Sequence, residues 1–564
     1  MKKISFISVV LTCLFTSLFA DEDETDIASS ETQKTIVDPV VKTIVLVKKS
    51  DQFKIENYKN RHGLYIKGID IPGSIGSLKS ALLPYVGVAR LTEAEIQKIK
   101  FTIIKYYHAH GKPVVLVDVP SQDVTEGIIY FTISEGKVGR ITIEGNKWFP
   151  TDSLMKKIRL KSGDYIDSHV LSSDLSWINR NPFRTAQAVF TPGRKVGTTD
   201  IEIYVQDRFP VRVYGGIENR GNDFTGNNRP FTGMNIGRLF WTDQMLSYQF
   251  TSSSNIHRFY SHTAQYTLPL YWRNILTVYG GYSHSSSDFT LSEEEPVFSS
   301  SGYGWQVSFR YDIPLKPHNK FLHEVMFGFD FKRTNNSLDF GGIPVTGEPC
   351  NITQFMLGYN LGYAMQGLKT SFEIEGFFSP GKWVGDQSNK RYQSLRPGAR
   401  AVYAYFRTSF SLIFDLWQDM SMQHFLRGQY ATQNLLPSEE YGLGGYDTVR
   451  GYKEREVNMD NIFLYNIEFY SPSMSFHQFS TGTNNPLDKL QFLVFFDVGW
   501  GKIHDEVVGE NKEETLMSIG PGVRYTIGPY LIVKADYGFQ LKDLGKASLG
   551  GPSHRLHFSA LIGF

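Results

Sequence analysis

The chain ends Ser553-His554-Arg555-Leu556-His557-Phe558-Ser559-Ala560-Leu561-Ile562-Gly563-Phe564. Side chains alternate across a strand, so Leu556, Phe558, Ala560, Ile562 and Phe564 share one face, and the last residue is aromatic. A soluble domain has no physical need to finish on an exposed apolar ring; a lipid-facing strand that closes a barrel does. The same alternation runs upstream. Leu531, Val533, Ala535, Tyr537 and Phe539 alternate with Lys534 and Asp536. Within Phe463–Phe469 the odd positions are apolar or aromatic, with Asn466 and Glu468 on the other face, and Phe372 and Ile374 alternate with Ser371, Glu373 and Glu375. About sixteen such segments fit between Val211 and Phe564, an even number that suits a transmembrane barrel. A soluble β-sandwich shares this pattern with its apolar face inward, and the closing strand decides for the barrel.

Composition agrees. Aromatics make up 14% of the 564 residues, with 31 Tyr, 41 Phe and 51 Gly, as expected where rings form girdles at both membrane interfaces. A formal net charge of +1 offers no basic field for nucleic acid. Lys2 and Lys3, the apolar run Ile4 to Phe19 and Ala20 before an acidic stretch read as a signal peptide over residues 1–20. Cys13 would leave with it, so Cys350 alone remains, and one thiol makes neither an internal disulfide nor a multi-cysteine metal site. No later run is apolar for roughly eighteen residues, so a membrane location has to be a barrel.

Between leader and barrel, residues 21–62 read as a weakly structured segment containing a short β-like run, Thr43-Ile44-Val45-Leu46-Val47. Residues 63–137 and 138–208 read as two small α+β modules, and 209–564 as the barrel. In the first module, Thr92 with Glu95 forms a capping box that opens a helix striped by Ile96, Ile99, Ile103 and Tyr107 and stopped at Gly111. In the second, Leu171, Leu175 and Ile178 stripe a helix that ends before Pro182. Modules of about 70 residues bury a small core only.

Several short motifs resemble the transporters of two-partner secretion, the haemolysin-activator and filamentous-haemagglutinin-exporter family. Pro120-Ser121-Gln122-Asp123 with Gly127, then Glu135-Gly136, resembles the end of that family's first polypeptide-transport-associated (POTRA) domain; Glu144-Gly145-Asn146, Pro192-Gly193 and Gly197-Thr198-Thr199-Asp200 resemble its second. Glu218-Asn219-Arg220-Gly221 is similar to the segment that opens the barrel. The most specific matches are Leu443-Gly444-Gly445-Tyr446-Asp447-Thr448-Val449-Arg450-Gly451-Tyr452 and, downstream, Phe495-Phe496-Asp497-Val498-Gly499. The whole chain then reads as two POTRA-like domains followed by an all-β transmembrane barrel of about sixteen antiparallel strands.

The last two motifs also carry an argument of their own. Phe495, Asp497 and Gly499 share one strand face, and Val494, Phe496, Val498 and Trp500 share the other, which suits lipid. Asp497 is therefore expected in the lumen, where a lone carboxylate needs a partner. The Gly-flanked loop carrying Val449, Arg450, Gly451 and Tyr452 is flexible enough to fold inside, and the resemblance implies that its arginine pairs with that aspartate. Arg suits the task because its planar fork grips a carboxylate through two bonds. An isolated pair of this kind would keep some function after exchange of its two charges. The other reading leaves Arg450 at a loop tip in solvent.

The resemblance implies an outer-membrane location with the N-terminal domains in the periplasm. It also implies capture of an unfolded exoprotein, through that partner's N-terminal secretion domain, and export through the barrel. It implies no catalytic residue, cofactor, metal, nucleotide or nucleic acid, and the expected partners are the exoprotein and membrane lipid. A barrel-assembly factor and a barrel-based hydrolase are the alternatives. His108 and His110 sit at a helix end without further metal-ligand types nearby. Gly341-Gly342 lacks the strand-to-helix setting of a phosphate cradle. The motif at 120–127 reads equally as a fold corner or as a contact surface. The family often carries an N-terminal helix in the pore, whereas residues 21–60, with Pro39 and β-branched runs, are weakly helical.

Overall fold

The computed structural model describes residues 40–87, 92–289, 298–317, 321–335, 348–481, 487–507, 510–544 and 553–564. The leader expected at 1–20, the segment from there through Pro39, and Gly341-Gly342 lie outside these residues. The chain divides into two compact units: one ends at Lys137 and takes in Tyr165–Asp167, the other holds Val138–Asp164 and Ser168–Phe564.

The first unit is a four-stranded sheet in the order Gly63–Lys67, Thr43–Val47, Ile128–Glu135, Val115–Asp118. Helices Ile75–Leu82 and Glu93–Ala109 cover one face, packing Leu78, Leu82, Ile99, Ile103 and Tyr107 on Ile44, Leu46, Ile129 and Phe131. Thr92 caps the second helix by accepting the Glu95 amide at 3.3 Å, but the Glu95 carboxylate takes Lys98 instead of closing the box. The segment 21–62 is not weakly structured throughout. Thr43–Val47 is a central strand, pairing in parallel with Gly63–Lys67 on one side and Ile128–Glu135 on the other. All five of its residues are fully buried, each apolar one contributing about 1.5–3 kcal/mol. A parallel strand covered on both faces reads as a short continuous apolar run, with none of the alternation that marks a half-exposed strand.

The second POTRA-like sheet has the order Lys137–Glu144, Thr198–Asp207, Arg184–Pro192, with helix Ser168–Asn179 packed beside it. Asp207 ties its ends together: the carboxylate accepts the backbone amides of Lys147, Trp148 and Phe149 at 2.8–3.0 Å. Gly145 approaches Val205 so closely that a Cβ there would lie 2.6 Å from its carbonyl oxygen, and its φ of 85° adds a second reason for glycine.

The rest is a closed barrel of sixteen strands. Every neighbouring pair is antiparallel, and the seam joins the first strand, Val211–Glu218, to the last, His554–Gly563. Asn219 holds that seam, donating to the Leu556 carbonyl and accepting the Phe558 amide. Leu556, Ile562 and Phe564 point outward and exposed, while His557 between them is buried. The barrel edge vanishes because Phe564 exchanges both backbone bonds with Val213. On this account the mature chain should partition with outer-membrane fractions and migrate differently on gels before and after boiling. Recovery in the soluble periplasm would contradict the lipid-facing assignment of these strands.

Candidate functional site

The chain leaves strand Ser421–Ala431 and returns at Asn461–Tyr470 by a long connection that turns inward. Its base is a short hairpin, Tyr441–Leu443 paired with Val457–Met459. Beyond the hairpin, Gly444 and Gly445 adopt φ of 101° and 106°, which side-chain-bearing residues rarely tolerate, and the tip turns back onto the wall. Strand Asp488–Lys502 supplies that wall. Its inward set, Phe495, Asp497 and Gly499, is buried, while Phe492 and Val494 are exposed on the outer face.

Arg450 and Asp497 meet in this seat. The guanidinium grips the carboxylate through Nε (2.8 Å to Oδ2) and Nη2 (2.7 Å to Oδ1), and the Arg450 amide donates a third bond to Oδ2 at 3.0 Å. Arg450 is 3% exposed and Asp497 fully buried. The Phe495 ring lies 3.6 Å from the guanidinium carbon, stacked as a cation–π partner. Two further carboxylates complete a hub. Glu468 accepts Nη1 at 2.5 Å, and Asp536 lies 3.4 Å from it while holding Arg524 through two bonds of 2.6 and 2.8 Å. Asn466 spans from Asp497 to the Thr448 carbonyl. Burial works against the Arg450 charge, but Asp497, Glu468 and Asp536 more than offset it and hold the pKa above its ordinary range.

The rest of the loop motif fits the same wall. Gly451 donates to His557 Nε2 at 3.2 Å and accepts from Gln540, and Tyr452 donates to the Lys542 carbonyl at 2.5 Å. Val449 is buried against Gly499, where a Cβ would come 2.8 Å from Val449 Cγ2. At Gly538 a Cβ would come 2.4 Å from the Gly451 nitrogen, and at Gly501 2.5 Å from Met459 Cγ. The wall under the loop is thus stripped of side chains, which lets backbone meet backbone.

The opposite side of the lumen is open. A cavity of about 750 Å³ lies between Ser438, Glu454 and Arg455 of the loop and a wall of Ser247, Gln249, Ser261, Thr263, Gln265 and Gln306. Gln265 also lines a second cavity of about 250 Å³, which reaches Trp177, Arg180 and Arg184 of the second POTRA-like module.

Among the other residues singled out, Pro120, Gln122, Asp123 and Gly127 build a corner in the first unit. The Gln122 amide brackets the Tyr130 backbone, donating to its carbonyl and accepting from its amide, both at 2.8 Å. Asp123 accepts from Thr125, and the Gly127 carbonyl accepts the amides of Lys42 and Thr43 at the start of the central strand. The motif's polar groups are used within the domain. His110 caps its own helix through the Tyr106 carbonyl, and Cys350 is buried as a free thiol. Glu468, Asp536, Arg524 and His557 were not singled out from the sequence. The alternation placed Asn466, Glu468 and Asp536 on polar faces, but which strands adjoin the loop could not be read.

Comparison with known proteins agrees with this fold. The haemolysin secretion/activation protein model ShlB/FhaC/HecB matches residues 197–525, more than half the chain, and the POTRA model (surface antigen variable number repeat) matches 137–208. The outer membrane transporter CdiB of Dickeya dadantii is 23% identical over 379 residues, 64% of this chain and 63% of that protein, just under two thirds of its length. The heme/hemopexin transporter protein HuxB of Haemophilus influenzae is 22% identical over 471 residues, 81% of this chain and 79% of that one. Among solved structures, CdiB from Escherichia coli superposes with a TM-score of 0.73 at 16% identity, covering 95% of this chain and 93% of the other, which shows a shared fold. The chain belongs to the haemolysin secretion/activation (ShlB/FhaC/HecB) family of outer-membrane β-barrel transporters.

Proposed function

We propose that this chain captures an unfolded exoprotein in the periplasm and exports it through its barrel. The observation that supports the reading best is the division of the lumen. One half is filled by a loop held through polar contacts, and the other is a cavity reaching towards the POTRA-like module. A loop tip seated by a buried hub can be unseated without opening the barrel, and the facing wall offers Ser, Thr and Gln side chains, with the cations Arg220, Arg229, Lys332 and Arg333 among them, to the backbone of an extended chain. Strand addition along the sheet edges Arg184–Pro192 or Lys137–Glu144 would supply affinity through main-chain bonds with little demand on sequence. Folding of the cargo outside, and not a nucleotide, would draw the chain across. In this reading the barrel does no bond-making chemistry, and Arg450, Asp497 and Glu468 act as a latch.

The test is co-expression with any large secreted protein found encoded beside this gene, in a Gram-negative host that lacks both. Export of such a protein to the medium should depend on this chain. Equal release without it would refute the proposal. Loss of other outer-membrane barrels on its removal, with export intact, would favour the assembly-factor alternative.

A further inference from the structure

The inward loop is held at two places, and the second has no counterpart in the motifs. Arg396 lies in the long connection between strands Leu368–Pro380 and Val402–Asp415, just after helix Asn389–Leu395. Its guanidinium reaches both legs of the inward loop. It donates to the Leu435 carbonyl at 2.7 Å and lies 3.0 Å from Glu440 on the outgoing leg, and it holds Asp460 on the returning leg through bonds of 2.8 and 3.1 Å. Glu510, from the neighbouring connection after strand Asp488–Lys502, takes two more at 3.1 and 2.8 Å. Asp460 in turn accepts the Leu435 and His504 amides at 2.7 and 2.9 Å. Arg396 is 3% exposed and Asp460 fully buried. One cation thus faces three carboxylates from separate segments. Burial, with Asp460 and Glu510 adding to it, pushes the Glu440 carboxyl above its ordinary range in spite of Arg396. Without the arginine these groups would repel one another in a water-poor site, so the legs would splay.

This cluster differs from the tip hub in what it grips. Arg450 joins the loop to a barrel strand, whereas Arg396 joins the two legs to each other and to adjacent connections. The boundary between the two regions is the Gly444-Gly445 pair, a backbone pivot. We propose that Arg396 is a positioning residue for transport: it keeps the base of the inward loop, from residue 435 to the hairpin and on to 460, as a stationary frame, so that only the tip at 444–456 swings off the wall when the pore opens. The proposal rests on the transporter reading for its meaning in export, but the frame itself is testable on the purified pore.

The experiment uses the full chain in a Cys350→Ala background. A disulfide across the hairpin, Tyr441→Cys with Met459→Cys, which face each other in register, clamps the base. A second, Val449→Cys with Gly499→Cys, clamps the tip to the wall. With the base clamp oxidised, export should stay within about twofold of the reduced form, while the tip clamp should block export until reduced. Arg396→Gln alone should lower export at least about tenfold with the barrel still heat-modifiable, and the oxidised base clamp should restore it, because the clamp supplies what the arginine supplied. In planar bilayers Arg396→Gln should show enlarged, unsteady openings that the base clamp quiets. Blocked export by the base clamp, unchanged export and conductance in Arg396→Gln, or a defect in Arg396→Gln that the clamp leaves untouched would each overturn the stationary frame. If the unmodified chain exports nothing, the transporter reading fails, and the conductance arm still decides the frame.

Discussion

Arg450→Ala and Asp497→Ala should each cut export of the partner to near background while leaving heat-modifiable barrel in the membrane. Either change unbalances a buried cluster: without Arg450, Asp497 and Glu468 face each other unneutralised; without Asp497, Arg450 loses two guanidinium bonds and one from its backbone amide and keeps Glu468. Breaking a buried pair in this way costs about 3–5 kcal/mol, enough to shift the tip towards release although Val449, Gly451 and Tyr452 keep their own contacts with the wall. The double variant should export no worse than either single one, because the second change removes a group already unpaired. Exchange of the charges is now expected to fail. Asp at 450 would sit beside Glu468 and close to Asp536, and Arg at 497 would have no room for its fork on a strand packed against Val449. The isolated pair inferred from the sequence is one edge of a three-carboxylate, two-arginine hub of Glu468, Asp497 and Asp536 with Arg450 and Arg524. Near-normal export by both single variants would reduce Arg450 to a packing residue, and strictly additive losses would assign the two residues separate tasks.

Removing residues 40–205 should leave a closed barrel and abolish export altogether. The cut begins at 40 because stopping at 62 would leave Thr43–Val47 without either sheet neighbour and expose four apolar side chains. Closure of the barrel needs only Val211–Glu218 against His554–Gly563. What the cut does remove is the bracing of the second POTRA-like module on the barrel turns. Arg184 binds Asp243 through two bonds of 2.8 Å, Arg273 reaches the buried Asp174 at 2.7 Å, and Arg180 reaches Glu324 at 2.7 Å. The barrel-side charges would then face water, where each former pair is worth about 1 kcal/mol or less, so the fold should survive. Detection of the exoprotein outside cells carrying the truncated chain would remove the capture role from the modules.

How far the sequence could be read depended on whether a signal was local. Leu556 to Phe564 announces a lipid-facing strand within nine residues because the alternation lies within one segment. Asp497 announces a partner because a carboxylate on an otherwise apolar strand has no local way to be satisfied. Glu468 and Asp536 carried the same polarity, but their meeting at Arg450 depends on the cross-strand order of the barrel, which no single strand encodes. Arg396 was illegible for a related reason: its partners lie on two other connections, at 435–460 and at 510. Thr43–Val47 reads as β-like without declaring its place in the first domain, since a strand buried on both faces looks the same as any short apolar run. The corner at 120–127 reads either way in the sequence, because an amide that serves its own backbone, as Gln122 serves Tyr130, and one that serves a partner look alike in one dimension.

The glycines beneath the loop tie the pore's state to its thermodynamics. Where Gly499, Gly501 and Gly538 lie bare, the wall leaves hollows that the loop fills, and Leu443, Val449, Tyr452 and Met459 form one core with the wall's own Leu464 and Leu516. A barrel whose loop has swung out is therefore partly hollow and has lost packing that a seated loop supplies. Anything that binds preferentially to the open state must meet that cost from its own binding energy, so its apparent affinity falls by the fraction of barrels that are open, while by linkage its binding to a folded state still raises the melting temperature. Under the proposed export function, cargo in transit would take the place of the loop against this wall, and reseating of the loop after the last residue leaves would restore the lost packing.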